Sequence, residues 1–98
     1  MADAYEIAKA GGRHGQWLAE QRALGVRQLE SAARSIEKQL GFHEGWIADP
    51  SSKVHDWVLR DARYREGLLR KWQQDIDRQR EQIAIVRGVL REKGNEDG

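Results

Sequence analysis

Residues 26–48 read VRQLESAARSIEKQLGFHEGWIA, and within them Val26, Leu29, Ala33, Ile36, Leu40, His43 and Ile47 recur in alternating steps of three and four. Such spacing is the seam of a helix that packs on another helix. Residues 69–90, LRKWQQDIDRQREQIAIVRGVL, repeat the alternation through Leu69, Trp72, Ile76, Gln79, Ile83, Val86 and Leu90. Between the two seams lies the turn-forming cluster Asp49-Pro50-Ser51-Ser52-Lys53, which holds the chain's single proline. The pattern predicts an all-α fold: an antiparallel hairpin of helices over Val26 to Ala48 and Asp61 to Glu92, with Ile36, Leu40, Ile76 and Ile83 in its core. Laid together, the seams set Ile36 opposite Gln79 and His43 opposite Trp72. The flanks then pair Glu30 with Arg87 and Glu37 with Arg80.

Two helices bury too little surface to stand as a domain, so a further layer is required. Ala2 to Ala10, ending at Gly11-Gly12, and Gln16 to Leu24 are predicted as short N-terminal helices that cover the hairpin with Trp17 and Leu18 and complete a small bundle. Residues 1–12 form the N-terminal segment of this single domain spanning 1–98. The segment from Val54 to Arg60 has no clean period, and residues 94–98 read as a disordered polar tail.

The chain has 98 residues, 34% of them charged and none of them cysteine. One core must therefore serve everything, no disulfide partner exists, and a cysteine nucleophile or thiolate metal site is excluded. Seventeen basic against sixteen acidic residues give a net charge of +1, too little to hold nucleic acid by bulk charge. Charge is uneven, however: residues 60–93 carry ten basic and six acidic groups. Arg80, Arg87 and Arg91 share one stripe there and Arg63 and Arg70 another, either of which suits a phosphate backbone or a solvated face with pairs such as Glu66 to Arg70. No apolar run approaches a membrane span, so no membrane partner is expected.

Candidate chemistry centres on the histidines, because imidazole gives and takes protons near neutral pH without a cofactor. His14 lies in Gly11-Gly12-Arg13-His14-Gly15, next to a cation on a glycine-rich backbone. It is either an exposed loop histidine or a phosphate-handling group. His43 takes a seam position that asks for Leu or Ile, and Gln79 interrupts the facing seam. Together they form either a polar layer that sets register or one wall of a site. Asp75 and Glu37 are the nearest carboxylates, while Trp46 and Trp72 either fill the wide end of the bundle or stack on a base. His55 reads as surface. A metal set of His14, His43 and Asp75 has no recognised spacing, so neither metal nor cofactor is expected. Zinc-protease, nucleotide-phosphate and serine-hydrolase motifs are all missing.

The order Gly11-Gly12-Arg13-His14, Ser35-Ile36-Glu37-Lys38-Gln39-Leu40, His43, Asp49-Pro50, Lys71-Trp72, Asp75-Ile76, Arg78-Gln79, Glu81-Gln82-Ile83 resembles small C-terminal toxin modules of bacterial polymorphic toxins, the cargo of Rhs and contact-dependent inhibition proteins. Those modules open on Gly-Gly-Lys-His-Ser-Gly and continue with Ser-Ile-Glu-Lys-Gln, a histidine and Asn-Pro. Here Arg13 replaces the lysine, Gly15-Gln16-Trp17 replaces Ser-Gly and an aromatic, and the middle loop lacks a second proline. The resemblance, over residues 10–93, implies an antibacterial nuclease acting on RNA, tRNA included, with a cognate immunity protein. It also implies a secreted effector delivered to the target-cell cytoplasm, or a cytoplasmic protein if freestanding. In that reading His14 and His43 are the acid–base pair and Asp75 or Glu37 orients an imidazole. Arg13 and Lys38 lie at the phosphate, and Gln79, Trp46 and Trp72 contact substrate. The alternative is a non-enzymatic helical adaptor or interaction module whose polar seam sets pairing.

Overall fold

In a computed structural model that describes residues 3–97, with side chains through Gly94, the chain forms four α-helices: α1 (Ala4–Lys9), α2 (Gly15–Arg22), α3 (Val26–Ala48) and α4 (Ala62–Asp97). No strand occurs among the described residues. Helices α3 and α4 make the antiparallel hairpin, and α1 and α2 pack against the C-terminal half of α4. No described helix is long and apolar enough to cross a membrane.

Local chemistry accounts for each boundary. Asp3 caps α1 by accepting from Glu6 N at 2.9 Å, the Gln28 side chain accepts from Gly25 N at the start of α3, and Asp61 accepts from Tyr64 N at the start of α4. Helix α3 stops at Asp49 because the Pro50 ring disfavours helical backbone in the residue before it. Two short 3₁₀ turns, Pro50–Ser52 and Trp57–Leu59, fill the connection where the sequence has no period. At the far end α4 continues through Gly94 to Asp97, so the tail expected from Gly94 is helical as far as the description extends; Gly98 lies outside the described residues, as do Met1 and Ala2. A single exposed glycine costs a helix only about 1 kcal/mol, too little to end one already running.

The deepest core lies under the N-terminal helices, where Leu29, Ile85, Val86 and Val89 are fully buried beside Tyr5, Ala8 and Leu18. Of the four residues expected at the centre, Ile76 and Ile83 are buried, whereas Ile36 and Leu40 are only half-buried. The cause is layering: mid-hairpin has two helices, while the C-terminal half of α4 has three helices packed on it. Leu40 there lines an open groove of about 260 Å³ with Glu37, Ile83 and Arg87.

Register also differs from the sequence expectation. His43 faces Asp75, one helical turn beyond Trp72, while Arg87 pairs with Glu37 at 2.6 Å and Arg80 with Glu44 at 3.6 Å. The expected pairs Glu30–Arg87 and Glu37–Arg80 are therefore replaced. A three-four alternation satisfies several offsets equally, and the aromatic side chains decide among them. Trp72 lies against Trp46 at 5.7 Å and stacks on Trp57 at 5.9 Å, closing the wide end of the hairpin.

A polar clamp ties the chain's two ends. The Tyr5 hydroxyl donates to Glu92, whose carboxylate also accepts from Arg22 Nε at 2.9 Å and Nη2 at 2.7 Å. The Arg22 fork, then the Tyr5 hydroxyl, lower the Glu92 pKa to about 2. Gly88 makes room for this contact, since a Cβ there would overlap the Tyr5 ring.

Candidate functional site

The Gly11-Gly12 pair is used to end α1. Gly11 takes φ +92°, Gly11 N donates to Ala8 O at 3.0 Å, and Gly12 N donates to Ile7 O at 2.9 Å, the paired bonds of a glycine-terminated helix. A Cβ at Gly12 would fall 2.9 Å from Ile7 Cγ2, so this close approach requires glycine. The glycines thus shape a helix end rather than a phosphate cradle, and their effect is to deliver the next two residues onto α4.

His14 follows as the N-cap of α2 at φ +68°, the one non-glycine residue in left-handed backbone among those described. The turn aims its ring at α4, where Nε2 lies 3.3 Å from Glu81 Oε2. Arg13 Nε donates to the same oxygen at 2.8 Å. The His14 side chain is 19% exposed; its Nε2 is buried and meets Glu81 as a close contact without a hydrogen bond. A carboxylate beside one ring nitrogen is a setting that suits an acid–base imidazole. Glu81 escaped the sequence reading because it lies outside the α3-facing seam. The signal was available in its place on the flank of α4, but only the fold brings the N-terminal turn to it.

His43 is held differently. Nδ1 lies 2.8 Å from Gln39 O, one turn back on α3, and Nε2 lies 3.4 Å from Asp75 Oδ2. Both nitrogens thus face oxygen atoms. Asp75 is shared with Arg78 at 3.3 Å. The ring edge meets Trp46 at 4.8 Å, and Lys53 lies 4.6 Å over the Trp46 ring. Trp72 beneath is buried, and Gln79, one turn from Asp75, is 6% exposed with its Oε1 unpartnered.

The candidate residues therefore form two clusters, Arg13–His14–Glu81 and His43–Asp75–Trp46–Trp72. Their carboxylates lie six residues apart on α4, about 9 Å along its axis. Glu37 belongs to neither, being paired with Arg87, and Lys38 lies over the Phe42 ring on an exposed face of α3. His14, His43 and Asp75 do not converge, and among the described residues no three His, Asp or Glu side chains form a metal-binding group. The arginine stripe is divided as well: Arg80 and Arg87 are engaged by α3 carboxylates and Arg91 sits over the Tyr5 ring. His55 is exposed. No family model matches the chain, and neither a curated protein nor a solved structure matches it.

Proposed function

We propose that the chain is an antibacterial toxin domain that cleaves RNA by histidine acid–base chemistry, with His14 as the proton-transfer group. The observation that carries this reading is the His14–Glu81 contact. An imidazole lies with one nitrogen 3.3 Å from a carboxylate, presented from a left-handed turn, with an exposed guanidinium beside it. In the reaction, His14 Nδ1 takes the proton of an RNA 2′-hydroxyl as that oxygen bonds to phosphorus. The 5′-oxygen bond breaks, and the imidazolium returns the proton to the leaving oxygen, giving a 2′,3′-cyclic phosphate and a 5′-hydroxyl. Arg13, tied to Glu81 by Nε alone, has its terminal nitrogens for the phosphate.

In this proposal His43 and Asp75 hold α3 in register on α4. The effector is delivered to the target-cell cytoplasm, and its producer carries a cognate immunity protein. The second reading, a non-enzymatic helical adaptor, is favoured by one observation: the His43–Asp75 contact and the neighbouring Gln79 make a polar layer that fixes pairing without chemistry. Induced expression in a bacterial host separates the two. Growth arrest with RNA fragments ending in cyclic phosphate supports the toxin, and unimpaired growth with intact RNA supports the adaptor.

A further inference from the structure

At the hairpin tip, Val58 and Leu59 project from their 3₁₀ turn with 75% and 83% of their surface exposed. Beside them a cleft of about 240 Å³ is lined by Trp57, Ala62, Arg65, Glu66 and Leu69. Its aromatic wall continues the core, because Trp57 stacks on Trp72 with the rings 21° apart. Within the cleft, Arg65 Nε is buried and makes no hydrogen bond. An orphaned guanidinium donor is costly to desolvate and marks a place where an acceptor is missing.

Charge at this end is predominantly positive. Residues 53–71 hold six Lys or Arg against three Asp or Glu. Two of the three carboxylates are occupied, Asp56 by Arg60 at 3.0 Å and Asp61 as the cap of α4. Glu66 remains against Arg63, Arg65, Arg70 and Lys71, none of which lies within 4.0 Å of a described carboxylate. The first turn of α4 adds its own positive dipole end.

We propose that the hairpin tip is a docking surface for an acidic protein segment that places an apolar side chain in the Trp57–Leu69 cleft and a carboxylate on Arg65. The cleft is smaller than the roughly 300–1,000 Å³ of small-molecule sites, and it suits one inserted side chain. Exposed aliphatics beside Trp and Arg, rimmed by further cations, are the composition of a protein interface. A phosphate backbone would use the cations and leave Val58 and Leu59 in water, so a protein partner is favoured over RNA. This surface does not depend on the RNA-cleavage reading: Arg65 and Glu81 are sixteen residues apart on α4, about 24 Å along its axis.

The test is fluorescence anisotropy of a labelled peptide in which leucines alternate with glutamates, titrated with the full chain. Expected are saturable binding that weakens as salt rises and a loss of about tenfold or more in Arg65→Gln. The same loss is expected in a Val58→Ser, Leu59→Ser double variant, which alters only exposed side chains and keeps the melting temperature. A serine-for-leucine control peptide should bind as weakly as the variants permit. Absence of saturable binding overturns the proposal, as does unchanged affinity in the double variant. A single-stranded RNA oligomer whose binding falls in Arg65→Gln but not in the double variant, and which displaces the peptide, overturns it in favour of an RNA surface.

Discussion

Glu81 reaches from α4 to the Nε2 of His14 at 3.3 Å, and the same oxygen accepts from Arg13 at 2.8 Å, so one carboxylate orients both neighbours of the α1–α2 turn. Glu81→Gln should keep the fold, since glutamine has the same shape and Glu81 is only half-buried, yet lower RNA cleavage by about tenfold or more by leaving the ring unoriented. Parallel melting and single-turnover cleavage assays measure the two effects separately. Equal cleavage in the variant removes Glu81 from the mechanism.

Stability should depend on pH through the clamp at the chain ends. Glu92 has its pKa lowered from 4.5 to about 2, by Arg22 first and then Tyr5. A depressed carboxyl contributes stability above its unfolded value, and that contribution disappears as pH falls from about 4.5 to about 2. The Tyr5 hydroxyl is raised above its ordinary 10.0, chiefly by its hydrogen bond to Glu92, so its contribution is complete below 10 and is lost above it. Urea melts across this range should show losses at both ends in the parent and a flattened acid limb in Glu92→Gln.

Gly88→Ala should destabilise the protein by about 1–3 kcal/mol, through overlap with the Tyr5 ring. At an ordinary helix position the same change stabilises by about 1 kcal/mol. The sign of the shift in denaturation midpoint therefore tests the docking of α1 on α4.

Leu29→Ala should cost about 2–5 kcal/mol, because its side chain is fully buried under α4. Leu40→Ala, at the open groove, should cost about 1–2 kcal/mol by the smaller area it removes from water. Equal losses at the two sites would contradict the layering in which the core lies beneath α1 and α2.

Much of the fold was legible because the signals are local. The seam from Val26 to Ala48 matches α3 at both ends, and Asp49-Pro50 stops it where proline geometry requires. Register was not legible: the alternation through Ile36, Leu40 and Ile83 fits several offsets, and the choice belongs to the packing of Trp46, Trp57 and Trp72. The site divides along the same line. His14 stood out by its glycine neighbours, although these serve to end α1. Its carboxylate, Glu81, is 67 positions away and outside the seam. His43 stood out as a polar break in an apolar row, and its partner Asp75 was among the flanking candidates because only one helix faces it.

The most direct measurement is RNA cleavage by purified protein in EDTA, comparing the parent with His14→Asn. Asparagine tolerates the left-handed backbone at φ +68°, which alanine does not, so the variant tests chemistry with the turn intact. The account predicts an unchanged melting temperature and a loss of cleavage of about a hundredfold or more. Parental cleavage in a folded His14→Asn protein would contradict it.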